Sequence, residues 1–379
     1  MARLGDLIKP AKVIRCDNSN YPVLSMTMHD GIILQSSRFK KSIASTDQSN
    51  YKVVQYGQLV VGFPIDEGVL YIQKVKTAGI MSPAYNVWDV ETALIDINYL
   101  EYCLHSPQSM QFYKANLRGT TARRRSIPTD ILLELFIPLP SLDEQRRIAA
   151  LLDKVSDLIT KRRAQLDKLD LLVKARFVEM FGDPISNEKN WPIVVLGDIA
   201  EIRIGPFGSL LHKEDYIAGG HALVNPSHII DGQIYIDEDL TVSDEKYDEL
   251  SAYQLKIGDI VLGRRGEMGR CAVVYQGGLL CGTGSMIIRP NAQMKPYFLQ
   301  NIISNPVYKK IIEDKAVGVT MMNLNVPIVS ALKVPLLPVH LQEQFIDFME
   351  RVDKSKLTIQ QSLDKLEILK KALMQQYFG

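Results

Sequence analysis

Cysteine is scarce in this chain. Its 379 residues hold four, Cys16, Cys103, Cys271 and Cys281, with no CxxC pair and no cluster among its six histidines. That argues against a disulfide framework and against a zinc site, and the thiols read as buried and free. No apolar run approaches the length of a bilayer span and no signal-peptide pattern opens the chain, so the expected compartment is the cytoplasm. An excess of charge is missing too. The formal net charge is +1, which argues against a non-specific polyanion binder, because bulk positive charge drives such binding. Residues 1–136 lean basic and residues 183–334 lean acidic. A nucleic acid would therefore be held by local patches, with a partner protein supplying much of the backbone grip. Catalytic signatures are also absent: there is no GxxxxGK[ST], HExxH, GxSxG or dinucleotide fingerprint. Asn225-Pro226-Ser227 superficially resembles the Asn-Pro-Pro motif of adenine methyltransferases. It lacks the second proline, the aromatic and a glycine-rich cofactor loop before it. No catalytic, cofactor-binding or metal-binding residue is assigned.

What the chain does contain, it contains twice. Ile137-Pro138-Leu139-Pro140 opens a charged, leucine-rich segment ending at Phe181-Gly182, and Val334-Pro335-Leu336-Leu337 opens another ending at Phe378-Gly379. One offset of 197 residues superposes the two, placing Leu166-Asp167-Lys168-Leu169 on Leu363-Asp364-Lys365-Leu366. The preceding stretches echo each other as well: Leu4-Gly5-Asp6 matches Leu196-Gly197-Asp198, and Tyr56-Gly57-Gln58-Leu59-Val60 matches Ile257-Gly258-Asp259-Ile260-Val261. The unit is globule, long helix, globule, long helix, which predicts pseudo-twofold symmetry and a partner gripped at two places. The expected domains are residues 1–136, 137–182, 183–334 and 335–379.

Residues 141–181 carry neither proline nor glycine. Apolar residues recur every seven positions at Leu152, Ile159, Leu166, Val173 and Met180. A second row, Ile148, Val155, Arg162, Leu169 and Arg176, is interrupted by arginine. The C-terminal copy gives Phe345, Val352, Ile359, Leu366 and Leu373, beside Met349, Lys356, Leu363, Lys370 and Tyr377. These are a and d positions of a heptad. Neither stripe can be buried by one helix, but two paired helices bury both, with the basic stems lying over the seam. A helix of about 40 residues is about 60 Å long. An antiparallel pair would hold two related globules apart as a spacer. A stalk for oligomerisation is the other reading of the same stripe.

The globules read as mixed α/β. Expected strands include residues 31–35, 52–55, 58–62, 69–75, 259–263 and 271–275. Expected helices cover 96–106 and 295–304, each followed by a proline-initiated helix at 107–116 and 306–314, with Tyr99-Leu100 set against Tyr297-Phe298. Several loops suit nucleic acid. Thr120, Thr121, Arg123, Arg124 and Arg125 pack arginines among small hydroxyls, which reach phosphates or fork onto guanine. The loop in the same place of the second copy carries Thr320, Asn323 and Asn325, able to bond base edges. The frame persists while its chemistry changes, as two readers of two different sequences would need. Arg264 and Arg265 follow a strand, Ser209 and Lys213 lie by a glycine turn, and Arg38, Lys40 and Lys41 form a smaller patch. Each of these also fits a solvated surface loop.

Taken in order, these marks resemble the specificity subunits of type I restriction–modification systems over essentially the whole chain. The residues that carry the resemblance are Gly205-Pro206-Phe207-Gly208-Ser209, Ser82-Pro83-Ala84-Tyr85, Gly258-Asp259-Ile260-Val261 before Arg264-Arg265-Gly266, and Ile137-Pro138-Leu139-Pro140 before Glu144-Gln145-Arg146-Arg147-Ile148. The second copy departs from the last, since Val339-His340-Leu341 interrupts the spacing from proline to Glu343-Gln344. The resemblance implies an α+β chain with two target recognition domains separated by an antiparallel pair of coiled-coil helices. It implies double-stranded DNA as ligand, one half of a bipartite site per domain, and two modification subunits as partners. Those partners would carry S-adenosylmethionine and methylate adenine at N6; restriction subunits, where present, would bring ATP and Mg. The chain itself would be noncatalytic. The competing expectation is a coiled-coil adaptor that binds proteins only.

Overall fold

The computed structural model describes residues 1–16, 21–28, 31–38, 48–118, 125–182, 186–206, 210–318 and 322–379. They fall into two compact units, Met1–Gln165 with Ile359–Gly379, and Leu166–Thr358. Each unit is thus a globule plus one part of each long helix.

In the first unit a four-stranded antiparallel sheet runs in the order Ile8–Pro10, Asn86–Val90, Leu59–Val61, Leu70–Ile72. The helix Ile97–Leu104 packs on it, started by the Asp96 carboxylate, which accepts from the backbone N–H groups of Asn98 and Tyr99. Ser106 caps the next helix, Pro107–Ala115, whose first residue is a proline with no N–H to satisfy. Leu59, Leu70, Ile72, Trp88, Tyr99, Leu104 and Tyr113 form the core, closed by Ile148, Ala149, Leu152 and Phe378 from the long helices.

The second unit repeats this frame. Its sheet runs Ala200–Ile204, Ser285–Pro290, Ile260–Gly263, Cys271–Val273, under helices Pro296–Ser304 and Pro306–Lys315. It adds a second four-stranded sheet, Tyr216–Ile217, Thr241–Val242, His221–Val224, Leu280–Cys281, with the last pair parallel. Phe177, Phe181, Phe298 and Phe345 meet edge-on or stacked in the core, with ring centroids 5.0–6.3 Å apart.

The repeat reaches individual hydrogen bonds. Gln145 is fully buried; its Oε1 accepts from the Asp96 N–H at 2.9 Å and its Nε2 donates to the carbonyls of Leu94 and Pro140. Gln342 does the same with the Lys295 N–H at 2.8 Å and the carbonyls of Gln293 and Leu337. Gln342, at the constant offset, is therefore the counterpart of Gln145, and the spacing that Glu343-Gln344 seemed to break is intact. A second register needs correcting. With Asp96 and Lys295 equivalent, Tyr99 corresponds to Phe298 and not to Tyr297; Tyr99 packs on Phe378 at 5.3 Å and Phe298 on Phe181 at 5.0 Å. Gly57 and Gly258 turn with φ of +86° and +91°, each N–H donating across the turn, to Gln73 and Val274.

The long helices are Leu142–Phe181 and Val339–Phe378. In the first unit Arg147 lies near Tyr377, Asp153 lies near Lys370, and Arg163 pairs with Glu367 at 2.7 Å. In the second, Asp170 pairs with Lys356 and Phe177 meets Phe345 at 5.5 Å. Within each unit numbering rises on one helix as it falls on the other, so the segments run antiparallel. Leu152, Ile159, Phe345, Val352 and Leu363 are buried, while Leu166, Val173, Ile359, Leu366 and Leu373 are half-buried. Arg162, Arg176, Lys356 and Lys370 are half-buried in the same rows. The Arg176 guanidinium lies 6.0 Å over the Phe348 ring while bonding Glu179. Burial, with Arg163 nearby, lowers the Lys370 pKa. No helix among the described residues is long and apolar enough to cross a membrane. All four cysteines are buried.

Candidate nucleic-acid interface

In the second unit several loops converge where strand Ile260–Gly263 ends. Gly263 donates its N–H to the Arg270 carbonyl at 2.8 Å and closes the turn. Arg264 donates its N–H to Gly284 at 3.0 Å, and its carbonyl accepts from Leu324 at 2.9 Å. Asn323 bridges both Arg265 and Val317, and its Oδ1 accepts from Arg264 Nε at 3.1 Å. The Arg264-Arg265 loop and the stem residues Val317, Asn323 and Leu324 are therefore one piece. Asn225 and Pro226 underlie it. A Cβ on Gly282 would meet Asn225 Oδ1 at 2.2 Å, and one on Gly284 would meet Pro226 Cδ at 2.9 Å, so only glycine fits this close approach.

Arg264 is half-buried and Arg265 exposed. Burial, then the neighbouring Arg265 charge, lowers the Arg264 pKa. The adjacent Glu267 is the opposite case: hydrogen bonds from Arg270 and Lys309 hold its pKa down at about 2.

In the first unit Arg118 and Ser126 exchange backbone hydrogen bonds of 2.9 and 3.4 Å. This is a stem like that of Val317 and Asn323. Arg125 does not reach outward from it. Its Nη1 pairs with Asp66 at 2.9 Å and its Nη2 with Glu67 at 3.2 Å, in the turn that matches the Arg264 loop. An arginine thus stands over this turn in both units, supplied by different loops.

The remaining assigned residues are scattered. Arg38 ends the short helix Gln35–Arg38. Lys213 is exposed at the start of the turn Lys213–Asp215. Asn325 commits its side-chain oxygen to the Ile328 N–H at 2.9 Å and caps helix Val326–Ser330. Lys40, Lys41, Thr120, Thr121, Arg123, Arg124, Ser209 and Thr320 lie outside the described residues. Reading the sequence missed Asn225 and Pro226 as the platform under the arginines. The glycine pair around Thr283 was the available signal, since it marks a close backbone approach.

The model of the "Type I restriction modification DNA specificity domain" matches residues 2–168 and again residues 188–368. The chain belongs to this family. This specificity subunit is 22% identical to the type I restriction enzyme MjaVIII specificity subunit of Methanocaldococcus jannaschii over 404 residues, 99% of this chain and 90% of that one. It is 21% identical to the EcoBI specificity subunit of Escherichia coli over 272 residues, 65% of this chain and 57% of the relative. Among solved structures, the S subunit of a type I system from M. genitalium superposes with a TM-score of 0.58 at 16% identity, covering 100% of this chain and 95% of that one. A chain from a study of type I complex assembly and conformational transition gives 0.60 at 17% identity, covering 100% and 96%. These likenesses show the fold. The chain is a DNA-binding specificity subunit of a type I restriction–modification system, built from two repeated α/β domains and long helices that pair antiparallel.

Proposed function

We propose that each domain reads one half of a bipartite double-stranded DNA target, and that the paired helices dock two adenine-N6 methyltransferase subunits. The chain contributes no catalytic group. S-adenosylmethionine belongs to the partner subunits, as do ATP and Mg where restriction subunits join. The observation that carries this reading is a frame repeated down to Gln145 and Gln342, while the turns it presents differ: Arg125 on Asp66 and Glu67 in one, Arg264 on Asn323 in the other. A duplicated scaffold with unlike loops serves two unlike sequences. Bending, pairing and base extrusion then fall to the assembled complex.

Methylome sequencing of cells expressing the chain with its modification subunits tests this. The expected result is a two-part motif with a constant gap. Replacing residues 1–136 by those of another family member should change one half only. A protein-only adaptor would give no motif dependent on this chain, and a change in both halves would reject the division of labour.

A further inference from the structure

Arg264 and Arg265 differ from the other arginines of their unit. Arg176, Arg203, Arg270 and Arg289 each meet a carboxylate, and Arg351 meets the Asp347 carbonyl. Among the described residues no carboxylate or backbone carbonyl meets the side chain of Arg264 or Arg265; the one acceptor is the Asn323 side-chain amide oxygen on Arg264 Nε. A half-buried guanidinium beside a second one, without a counter-charge, is unfavourable in the free protein. It is an arrangement in which an acceptor from outside completes the hydrogen bonds.

Geometry separates the two residues. Arg264 has its Nε held at 3.1 Å by Asn323 Oδ1, and both neighbouring backbone groups are tied, N–H to Gly284 and carbonyl to Leu324. The bond at Nε fixes the guanidinium plane and leaves the two terminal amino groups as a preset fork. Such a fork matches the O6 and N7 acceptors of guanine in the major groove. Arg265 is exposed and has no such brace. A loosely held charge suits a phosphate, whose position demands less of the donor.

We propose that Arg264 reads a guanine in the half-site of the second domain, that Asn323 is its positioning residue, and that Arg265 anchors a phosphate nearby. This rests on the DNA-contacting role given to the domain above, and the test keeps the two apart. Methylomes are compared for cells carrying the full chain and its modification subunits. Arg264→Lys keeps the charge and removes the fork. Its expected effect is one guanine column in one half-site becoming degenerate, with preference for guanine falling on the order of ten- to a hundredfold. Asn323→Leu should loosen the same column, and Asn323→Asp, which restores an acceptor for Nε, should recover it. Arg265→Gln should weaken binding to all sequences alike and reduce the salt slope of the complex by about 1, leaving the motif unchanged. An unaltered guanine column in both Arg264→Lys and Arg264→Gln overturns the assignment. So does a column that loosens with Arg265→Gln alone. A wild-type chain that yields no two-part motif overturns the underlying reading instead.

Discussion

Gln145 and Gln342 each fill three backbone hydrogen-bonding positions in a fully buried site. Leucine there would strand an N–H and two carbonyls. Each substitution is expected to cost about 1–3 kcal/mol or more, read as a lower urea midpoint for its own domain. Asp259 is another buried polar anchor. Only 1% exposed, it receives Arg289 through two bonds of 2.7 Å. Arg289→Met leaves that carboxylate buried and unpaired and should cost about 3–5 kcal/mol; urea unfolding of the variant checks it. Glu267 responds to pH. Folding lowers its pKa from 4.5 to about 2, so its contribution is complete above about pH 4.5 and lost as pH falls through about 2. Glu267→Gln should therefore flatten the dependence of Tm on pH within that window. The carboxylate is 51% exposed, so the effect stays below about 1 kcal/mol.

At the scale of elements, the heptads were legible because a seven-residue repeat is written directly in residue type. Structure adds the partner of each row. Phe345 is fully buried among Phe177, Phe181 and Phe298, and Phe345→Ala should cost about 3–5 kcal/mol. By contrast the Arg163–Glu367 pair, with side chains 65% and 46% exposed, should contribute at most about 1 kcal/mol. Thermal unfolding of Phe345→Ala and Arg163→Gln should separate the two effects clearly. The strands named from the sequence lie within three residues of those observed, as with Ile260–Gly263 inside 259–263 and Leu70–Ile72 inside 69–75, while their neighbours Asn86–Val90 and Ser285–Pro290 were not named. The second sheet of the second unit was not found. Its strands Tyr216–Ile217 and Thr241–Val242 have two residues each, too short for alternation to register, and their pairing depends on contacts distant in sequence.

Over the whole molecule, duplication, helix stripes and the family to which the chain belongs could be read from residue order, because repetition and periodicity are properties of a linear string. The division into compact units could not. Each unit recruits the start of one long helix and the end of the other, an exchange that burial of Phe181 and Phe378 enforces and that no local pattern announces. The same limit applied at the arginine-bearing loops. Arg125 and Arg264 look alike as letters, yet one is neutralised by Asp66 and Glu67 while the other is braced by Asn323. Residue type decided that charge would be displayed on these turns. Only tertiary packing decided which arginine kept its donors free, because the groups that satisfy an arginine arrive from strands and stems tens of residues away.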